Sequence, residues 1–272
     1  MSRLSDKFGH RTALVTGASS GLGLAFARML RDEGLAIWGA SRSPEATAEK
    51  EGWKPVMLDL TEPASVRAAI EQVGREAGGA PDVLVNNAGA GVFAGFARFP
   101  QDQISRQLQL LLEGPIHLTR AFWPEMLGRR RGAVVNVASL AAEFPLPALS
   151  IYTAAKAGLS GFSRALMLES AGSGVQVIDF QPGDFKTDFN KVAVRPEGGE
   201  PWEARAWARF EELLEHGPLP AQAAADLRRA LFSGRSDTVA TGEFFQARLA
   251  PLLQRLAGRS VVRHFMRKYY RM

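Results

Sequence analysis

Short apolar runs alternate along the chain with longer stretches in which apolar and polar residues recur at helical spacing. Most of the short runs are continuously apolar, which is typical of strands buried on both faces of a parallel sheet. The helical stretches between them have the length of crossover connections. The pattern therefore predicts an α/β fold with a doubly wound, Rossmann-like parallel sheet. Its predicted strands are residues 12–16, 35–40, 55–58, 82–86, 133–138 and 175–180.

Helical periodicity is clearest at residues 21–33, 63–77, 103–127 and 152–170. A chain of 272 residues without an internal repeat or a low-complexity linker fits one dinucleotide-binding and catalytic domain. We divide it into a core at about residues 10–187, a variable substrate lid at about 188–216 and a C-terminal helical tail at about 244–272. Doubly wound sheets bind ligands at the carboxyl ends of their strands, so we expect the functional motifs at those ends.

Composition excludes several classes of protein. There is no cysteine, and the four histidines are far apart, so we expect no disulfide framework and no metal site. The amino-terminal segment has charges but no apolar core before the first predicted strand, so we expect no signal peptide. No run approaches the 18 or so apolar residues of a membrane span. These features favour a cytoplasmic location.

The net charge of +5 is unevenly distributed, because much of the excess lies in residues 255–271. The rest of the chain is nearly balanced, which argues against nucleic acid as a partner. In the tail, apolar and basic residues alternate at helical spacing. Such a helix either covers the substrate end or a neighbouring subunit, or makes peripheral contact with an anionic membrane.

The segment TGASSGLG leads from the first predicted strand into the first helix. Gly17 permits a tight turn, Gly21 lets backbone approach a phosphate, and Gly23 allows close packing of helix on strand. Ser19 and Ser20 add hydroxyl donors at a helix N-terminus, which favours an anion. A simple tight turn is the alternative, but its place after the first strand favours a phosphate site.

The end of the second predicted strand indicates which dinucleotide binds. An acidic residue there would bond the ribose 2′-hydroxyl of NAD, whereas this chain has Ser41 and Arg42. A guanidinium and a hydroxyl suit a 2′-phosphate, so the sequence favours NADP(H) over NAD(H). The alternative is a solvated loop arginine. Asp59, after the third strand, is positioned to accept from the adenine amino group.

Two further motifs follow the fourth strand and open the long helix near residue 152. In NNAG, Asn86 begins a turn whose small Ala88 and Gly89 would let the adenosine ribose lie against backbone. In SIYTAAKAG, Tyr152 and Lys156 are four residues apart, so a helix places them on one face. Taken alone, the first motif is an ordinary turn and the second an ordinary surface pair.

Together these motifs resemble the short-chain dehydrogenase/reductase family over about residues 12–187. The resemblance rests on TGASSGLG, NNAG, Ser139 in VNVASLA, YTAAK beginning thirteen residues later, and PGDFKT, in the family's order and spacing. Agreement at one motif could be chance, but agreement at five is not. The resemblance implies the Rossmann-like fold, a nicotinamide cofactor and a homodimer or homotetramer.

The resemblance also implies roles for individual residues. Tyr152 would be the general acid/base, and Lys156 would lower its pKa and hold the nicotinamide ribose. Ser139 would hydrogen-bond the reacting substrate oxygen, and Thr187 the nicotinamide carboxamide. Pro182 and the glycine after it would shape the loop beside the ring. The other cofactor contacts implied are Gly183, Leu22, Leu60 and Phe185.

One position departs from the family pattern. Gly114 and Thr119 keep the family spacing, which places Leu111 where the family often has a catalytic asparagine. That asparagine helps to hold a water in the proton relay of the lysine, which leucine cannot do. Either Leu111 is simply core and backbone groups hold the water, or the protein is slowed or has lost turnover.

Aromatic and aliphatic side chains dominate three segments that should line the substrate pocket. Apolar walls with few fixed charges suit an apolar ketone or secondary alcohol, although many of these residues could equally be core or subunit contacts. We therefore expect an NADP(H)-dependent oxidoreductase, with a non-catalytic NADP(H)-binding sensor or scaffold as the alternative. The candidate pocket residues are Phe93, Phe96, Phe99, Phe144, Leu146, Phe189, Trp202, Trp207 and Phe210.

Overall fold

The computed structural model describes residues 3–249 and 259–272, which include a seven-stranded, all-parallel sheet in the order β3-β2-β1-β4-β5-β6-β7. The order reverses between β1 and β4, so this is the doubly wound sheet predicted from the sequence. The strands are β1 Thr12–Thr16, β2 Ala36–Ser41, β3 Lys54–Met57, β4 Val83–Asn86, β5 Gly132–Val137, β6 Val175–Pro182 and β7 Asp237–Thr241.

Helices cover both faces of the sheet. Alternate strand residues point to opposite faces, and in β1 Ala13 and Val15 belong to one apolar cluster while Leu14 belongs to the other. The α-helices are α1 Leu4–Phe8, α2 Gly21–Asp32, α3 Glu45–Glu51, α4 Pro63–Ala77, α5 Gln101–Leu108, α6 Gly114–Gly128, α7 Ser150–Glu169, α8 Phe189–Val192, α9 Pro201–His216, α10 Pro220–Ser233 and α11 Arg259–Tyr269.

Each of the two clusters packs crossover helices against one face of the sheet. Helices α2 and α10 pack together on one face through side chains such as Phe26 and Leu227, both fully buried. On the other face, α4 and α6 contribute side chains such as Val73 and Leu118. With both faces covered, the strands are buried and the ligand-binding positions are the loops at their carboxyl ends.

Two parts of the prediction need correction. Strand β7 was missed, because it lies at the sheet edge and its first two residues are exposed, so it lacks a continuous apolar run. The predicted helix at residues 103–127 is two helices, α5 and α6, joined by a π-helical turn at Gln109–Glu113. Apolar periodicity does not register one extra residue in a helical turn, whereas such turns often mark functional sites.

The predicted lid and tail pack against each other in the residues described. Helix α9 of the lid contributes Trp207 and Phe210 to an apolar cluster that also contains Phe93 and Tyr270, the residue after α11. A second π-helical turn, at Phe245–Leu249, belongs to the predicted tail. Residues 250–258 of the tail lie outside the described residues.

Candidate active site

The glycine turn after β1 is built so tightly that side chains cannot replace its glycines. Gly17 has a φ of +67°, and a Cβ there would lie 2.9 Å from the Cα of Ala88. A Cβ on Gly23 would lie 2.1 Å from the Gly17 carbonyl oxygen. Gly21 has a φ of +54° and faces Thr187 across the groove. The turn therefore keeps bare backbone at the start of α2, as a bound pyrophosphate requires.

A groove of about 670 Å³ runs along the carboxyl ends of the strands from this turn. Its size and its bare glycine floor fit a dinucleotide. Fifteen of the predicted site residues line it, together with others that the sequence did not single out, among them Asn87 and Arg106. The fifteen are Gly17, Ser19, Ser20, Gly21, Leu22, Ser41, Arg42, Asp59, Leu60, Ala88, Gly89, Tyr152, Lys156, Pro182 and Thr187.

Four predicted cofactor contacts lie elsewhere. Gly23 is buried under the turn. Asn86 is buried behind the groove, where its amide donates to Asn136 Oδ1 at 2.8 Å. Phe185 belongs to the core cluster around α2 and α10, and Gly183 lines a second, smaller cavity. Close packing and hydrogen bonds within the protein explain the positions of Gly23, Asn86 and Phe185 without a cofactor.

Charged side chains surround the end of the groove beside β2 and β3. Arg42 is exposed there, and Asp59 accepts from Thr61 through both its backbone N–H, at 2.9 Å, and its hydroxyl, at 2.7 Å. Burial alone would raise the pKa of Asp59. The two hydrogen bonds, with the charges of Arg42 and Arg106, outweigh burial and lower that pKa below its ordinary value.

Ser139, Tyr152 and Lys156 come together beside β5. Ser139 follows the strand and accepts from the Ala141 backbone N–H at 3.0 Å, which fixes its hydroxyl oxygen at the start of a 3₁₀ turn. Helix α7 begins at Ser150, so Tyr152 and Lys156 lie one turn apart on the same face. The Lys156 ammonium donates to the Val137 carbonyl at 2.6 Å and lies 5.8 Å from the centroid of the Tyr152 ring.

Burial shifts the pKa values of Tyr152 and Lys156 in the protein without ligand. It raises the pKa of Tyr152 to about 12; a hydrogen bond with Ser139 acts in the opposite direction, and the charge of Asp184 adds to the rise. Burial also lowers the pKa of Lys156 to about 8, against the attraction of Asp179. Tyr152 is therefore a neutral phenol at pH 7, the form that can donate a proton.

Leu111 is fully buried in the π-helical turn. Its side chain comes within 3.1 Å of the point where a Cβ on Gly89 would lie, and the Lys156 ammonium approaches the same point at 3.9 Å. The leucine thus lies beside the lysine, at the place where the family pattern has asparagine. An apolar side chain there offers the ammonium no hydrogen-bond partner.

A second cavity, of about 70 Å³, adjoins Ser139. Asp184, the residue after the Pro182–Gly183 pair, lines it with Gln246, and its carboxylate accepts from the Gln246 side chain at 2.7 Å. Asp184 is the third residue of PGDFKT, and the family resemblance gives it no role. A carboxylate directly after the Pro182–Gly183 pair is the one signal that the sequence offers. The other walls are apolar or aromatic, including Phe144, Leu146, Phe245, Phe265, Met266, Tyr269 and Tyr270.

The predicted aromatic pocket residues divide into two groups. Phe144 and Leu146 line the smaller cavity, and Phe189 lines the groove, where its ring packs edge-on against Tyr152 at 5.7 Å. The others are mostly core: Phe93, Phe99, Trp207 and Phe210 are buried, Trp202 is partly buried, and Phe96 is exposed.

Within residues 3–249 and 259–272, no helix is both long and apolar enough to span a bilayer. In the same residues, no three histidine, aspartate or glutamate side chains are grouped so that they could hold a metal ion.

Comparison with known proteins identifies the family that the chain matches. A family model described as short chain dehydrogenase matches residues 11–198. A crystal structure of a short-chain dehydrogenase from Streptomyces avermitilis superposes with a TM-score of 0.81 at 29% identity, covering 94% of this chain and 96% of that one.

Two curated relatives carry named activities. The 3-ketodihydrosphingosine reductase of Bacteroides thetaiotaomicron is 36% identical over 176 residues, which are 65% of this chain and 64% of the relative, slightly less than two thirds of its length. The 3-oxoacyl-[acyl-carrier-protein] reductase FabG of Vibrio cholerae is 33% identical over 187 residues, 67% of this chain and 76% of the relative.

Proposed function

The chain belongs to the short-chain dehydrogenase/reductase family, and from this membership we propose that it is an NADP(H)-dependent oxidoreductase that interconverts an apolar ketone and the corresponding secondary alcohol. Membership supports an oxidoreductase of C=O and CH–OH groups with a nicotinamide cofactor. The choice of NADP(H), the substrate and the roles of individual residues are the proposal.

The observation that carries it is the contact between Ser139 and Tyr152. Tyr152 lines the long groove, Ser139 lines the small apolar cavity, and the Ser139 hydroxyl is near enough to the Tyr152 phenol to lower its pKa. The reacting oxygen of a substrate would therefore lie at the junction of a dinucleotide groove and an apolar cavity. The groove would hold the cofactor and the cavity would hold the substrate. Tyr152, the proposed acid/base group, would lie between them.

The roles of the trio follow from protonation. A bound nicotinamide would supply the hydride. Neutral Tyr152 would give its proton to the carbonyl oxygen, and Ser139 would donate a hydrogen bond to the same oxygen as charge develops on it. Lys156, held by the Val137 carbonyl, would hold the ribose hydroxyls and help to return a proton to Tyr152. Thr187 would contact the carboxamide.

The cofactor preference rests on the end of the groove beside β2. Arg42 and Ser41 line the groove there, and Arg42 is exposed and able to meet a 2′-phosphate. An acidic residue, which would repel that phosphate, is absent at both positions. The charge pattern supports NADP(H) over NAD(H).

The substrate class draws on the cavity and on the relatives. The cavity beside Ser139 has mainly apolar walls, and the printed names of both relatives describe reductases of a 3-keto or 3-oxo group. We therefore propose a 3-oxo compound with an apolar chain, reduced to its alcohol. A non-catalytic sensor or scaffold is less well supported, because both relatives are named as reductases and the trio is intact.

The test is a screen of 3-oxo compounds and simple ketones with NADPH and NADH, following the absorbance of the reduced nicotinamide. Tyr152→Phe should lower turnover by about 10²–10⁴-fold and leave NADPH binding unchanged, since the phenol oxygen serves mainly in proton transfer. Ser170→Ala, in a buried serine directly after α7 that lines neither the groove nor the cavity, is the control for losing a hydroxyl. A protein that binds NADPH but reduces no ketone in the panel would contradict the proposal.

Three further proposals concern the setting of the protein. Core, lid and tail act as one catalytic unit, which is a homodimer or homotetramer as the family resemblance implies. The lack of cysteine in the chain supports a cytoplasmic location. The tail makes peripheral contact with anionic membranes, which is supported by exposed basic residues of α11 beside exposed Val261 and Phe265. Such contact would bring the cavity close to lipid-like substrates.

A further inference from the structure

Asp179 of β6 is a fully buried carboxylate that the proposed mechanism does not use. Three side chains donate to its oxygen Oδ2: Ser160 at 2.5 Å, Gln181 at 2.9 Å and Thr238 at 3.4 Å. Its other oxygen, Oδ1, is buried and has no hydrogen-bond partner within residues 3–249 and 259–272. Burial of a charge is costly unless an opposite charge compensates for it, so a buried cation is expected nearby.

Lys156 is that cation. All seven lysines of the chain lie in the described ranges, and Lys156 alone among them is buried. Its ammonium donates to the Val137 carbonyl at 2.6 Å. A buried ammonium loses its proton more readily than an exposed one, whereas the charged form is the one that can return a proton to Tyr152.

The fold brings the carboxylate and the ammonium to the same place. Strands β5 and β6 pair with Asn136 opposite Asp179, so Asp179 is one residue away from the level of Val137, whose carbonyl accepts from Lys156. Helix α7 packs against both strands, and Ser160, which donates to Asp179, lies one helical turn after Lys156. Residues four apart on a helix share a face. The two buried charges therefore lie close together beneath one helix.

The other charged groups around this pair lie on α7 and on the loop after β6. Arg164, further along α7, is a second cation that acts on Asp179. On β5 and β7, the residues opposite Asp179 in register are the uncharged Asn136 and Thr238. The loop after β6 contributes Asp184, whose charge acts on the phenol of the trio.

The protonation of the lysine reflects this arrangement. Burial lowers the pKa of Lys156 to about 8, and the negative charge of Asp179 opposes that decrease. Burial raises the pKa of Asp179, and its three hydrogen bonds and the charge of Arg164 oppose that rise. Leu111, which lies beside the ammonium, offers it no hydrogen bond. Stabilisation of the charged lysine therefore comes from the strands beneath it.

We propose that Asp179 is a positioning residue whose negative charge keeps the Lys156 ammonium protonated. This inference rests on the proposed function, because Lys156 belongs to the proposed trio. It adds a partner for the lysine in a chain that has Leu111 in place of the asparagine of the family. Asp179 lines neither the groove nor the cavity beside Ser139, so it acts through Lys156 and not on cofactor or substrate.

The first test measures the pKa of Lys156 without turnover, by NMR of protein labelled with ¹³C at the lysine Cε atoms. The six exposed lysines should titrate near the ordinary value of about 10.4, so the Lys156 signal stands apart, and Lys156→Met identifies it by its loss. Asp179→Asn keeps the shape and an acceptor for Ser160. It should lower the pKa of Lys156 by about one unit, the low end of the effect of a nearby opposite charge. An unchanged pKa would overturn the inference.

Two further variants support this measurement. Asp179→Thr removes the same charge with a side chain that suits a strand, and it should give the same decrease. Asp237→Asn removes a negative charge from the exposed start of β7, opposite Ile178 in register, and should leave the pKa of Lys156 unchanged. Equal decreases in the Asp179 and Asp237 variants would indicate a general effect of net charge and would also overturn the inference.

The second test is the pH dependence of kcat/KM for reduction of the best ketone in the panel with NADPH. The protonated lysine is the active form, so kcat/KM should fall as pH rises through the pKa of Lys156. In Asp179→Asn this fall should begin about one pH unit lower, which corresponds to a loss of about tenfold at alkaline pH. At about pH 6, where both lysines are charged, the variant should stay within about threefold of the wild type.

The alternative is that Asp179 only fixes α7 to β6 through its hydrogen bond with Ser160. Asp179→Asn, and Ser160→Ala, which keeps the charge, would then lower kcat/KM by similar factors at every pH. That result would overturn the inference. A lowered pKa of Lys156 in Asp179→Asn, with no ketone reduced by the wild type, would instead contradict the proposed function alone.

Discussion

Gln246 holds Asp184 at two points: its amide oxygen accepts from the Asp184 backbone N–H at 3.2 Å, and its nitrogen donates to the Asp184 carboxylate at 2.7 Å. The same nitrogen donates to the Tyr269 hydroxyl of α11 at 3.0 Å. One side chain thus joins the loop after β6 to the last helix. The carboxylate that lines the cavity beside Ser139 is held in place by a segment far along the chain.

The charge of Asp184 should cost stability. Its pKa is raised from 3.8 to about 6 in the folded protein, so the native state binds more protons than the unfolded chain between about pH 4 and 6. The free energy of unfolding therefore falls as pH rises through that window. Asp184→Asn should stabilise the protein by roughly 2–3 kcal/mol at pH 7, with the gain vanishing below pH 4.

Urea unfolding at several pH values measures this gain. Glu243→Gln is the control, because Glu243 is exposed and its removal should show no comparable pH dependence. A gain of the same size at pH 4 and pH 7 would show that ionisation of Asp184 is not the cause.

Arg42 should decide between the two nicotinamide cofactors. A charge-assisted contact with the 2′-phosphate contributes roughly 1.5–3 kcal/mol, so Arg42→Ala should weaken NADPH binding by about tenfold to a hundredfold and leave NADH nearly unchanged. Calorimetric titration of both cofactors gives the ratio. Arg67→Ala, in an exposed arginine of α4 outside the groove, controls for the loss of one positive charge. Equal losses for NADPH and NADH would rule out the assignment.

Leu111→Asn should separate the two explanations of the missing asparagine. The side chain is fully buried beside Gly89. If backbone already serves the relay, asparagine should add no turnover and should cost about 1–3 kcal/mol of stability as an unsatisfied polar group. This is the outcome we expect. Leu111→Met, a volume-conserving change, should cost less than about 1.5 kcal/mol. Activity that appears only in the asparagine variant would favour the sensor hypothesis.

Membrane contact by α11 should depend on its exposed arginines. The protein should co-sediment with vesicles that contain anionic lipid at low salt and should dissociate as salt rises. Replacing Arg263 and Arg267 by glutamate should abolish binding, because each basic residue near such a surface contributes about 1 kcal/mol. The same exchange at Arg229 and Arg235, also exposed, should leave it intact. Equal loss in both double variants would indicate unspecific attraction.

Most of the sheet could be predicted because a strand that is buried on both faces has a continuous run of apolar residues. Each predicted strand overlaps an observed one, and the fold class is confirmed. Edge strand β7 has no such run, since Asp237 and Thr238 are exposed. The π-helical turn around Leu111 cannot be recognised from the sequence either, because it changes helical geometry without changing which residues are apolar.

The site also contains residues that the sequence predicts and residues that it does not. Residues in recognisable motifs, such as Gly17 and Tyr152, could be predicted to line the groove because each short motif carries the signal by itself. Asp184 could not be assigned a role, because its hydrogen-bond partner, Gln246, lies 62 residues further along the chain. An isolated aspartate after a glycine is usually a solvated turn residue.

That separation of 62 residues also sets the order in which a newly made chain acquires its sites. Synthesis proceeds at about 5–20 residues per second, so Asp184 leaves the ribosome roughly 3–12 seconds before Gln246 does. The glycine turn and the first six strands precede both. A chain interrupted in this interval carries the residues of the dinucleotide groove without the wall that closes the cavity beside Ser139. Because α10 packs against α2 and β7 pairs with β6, a chain interrupted before these elements would also lack part of the core beneath the groove.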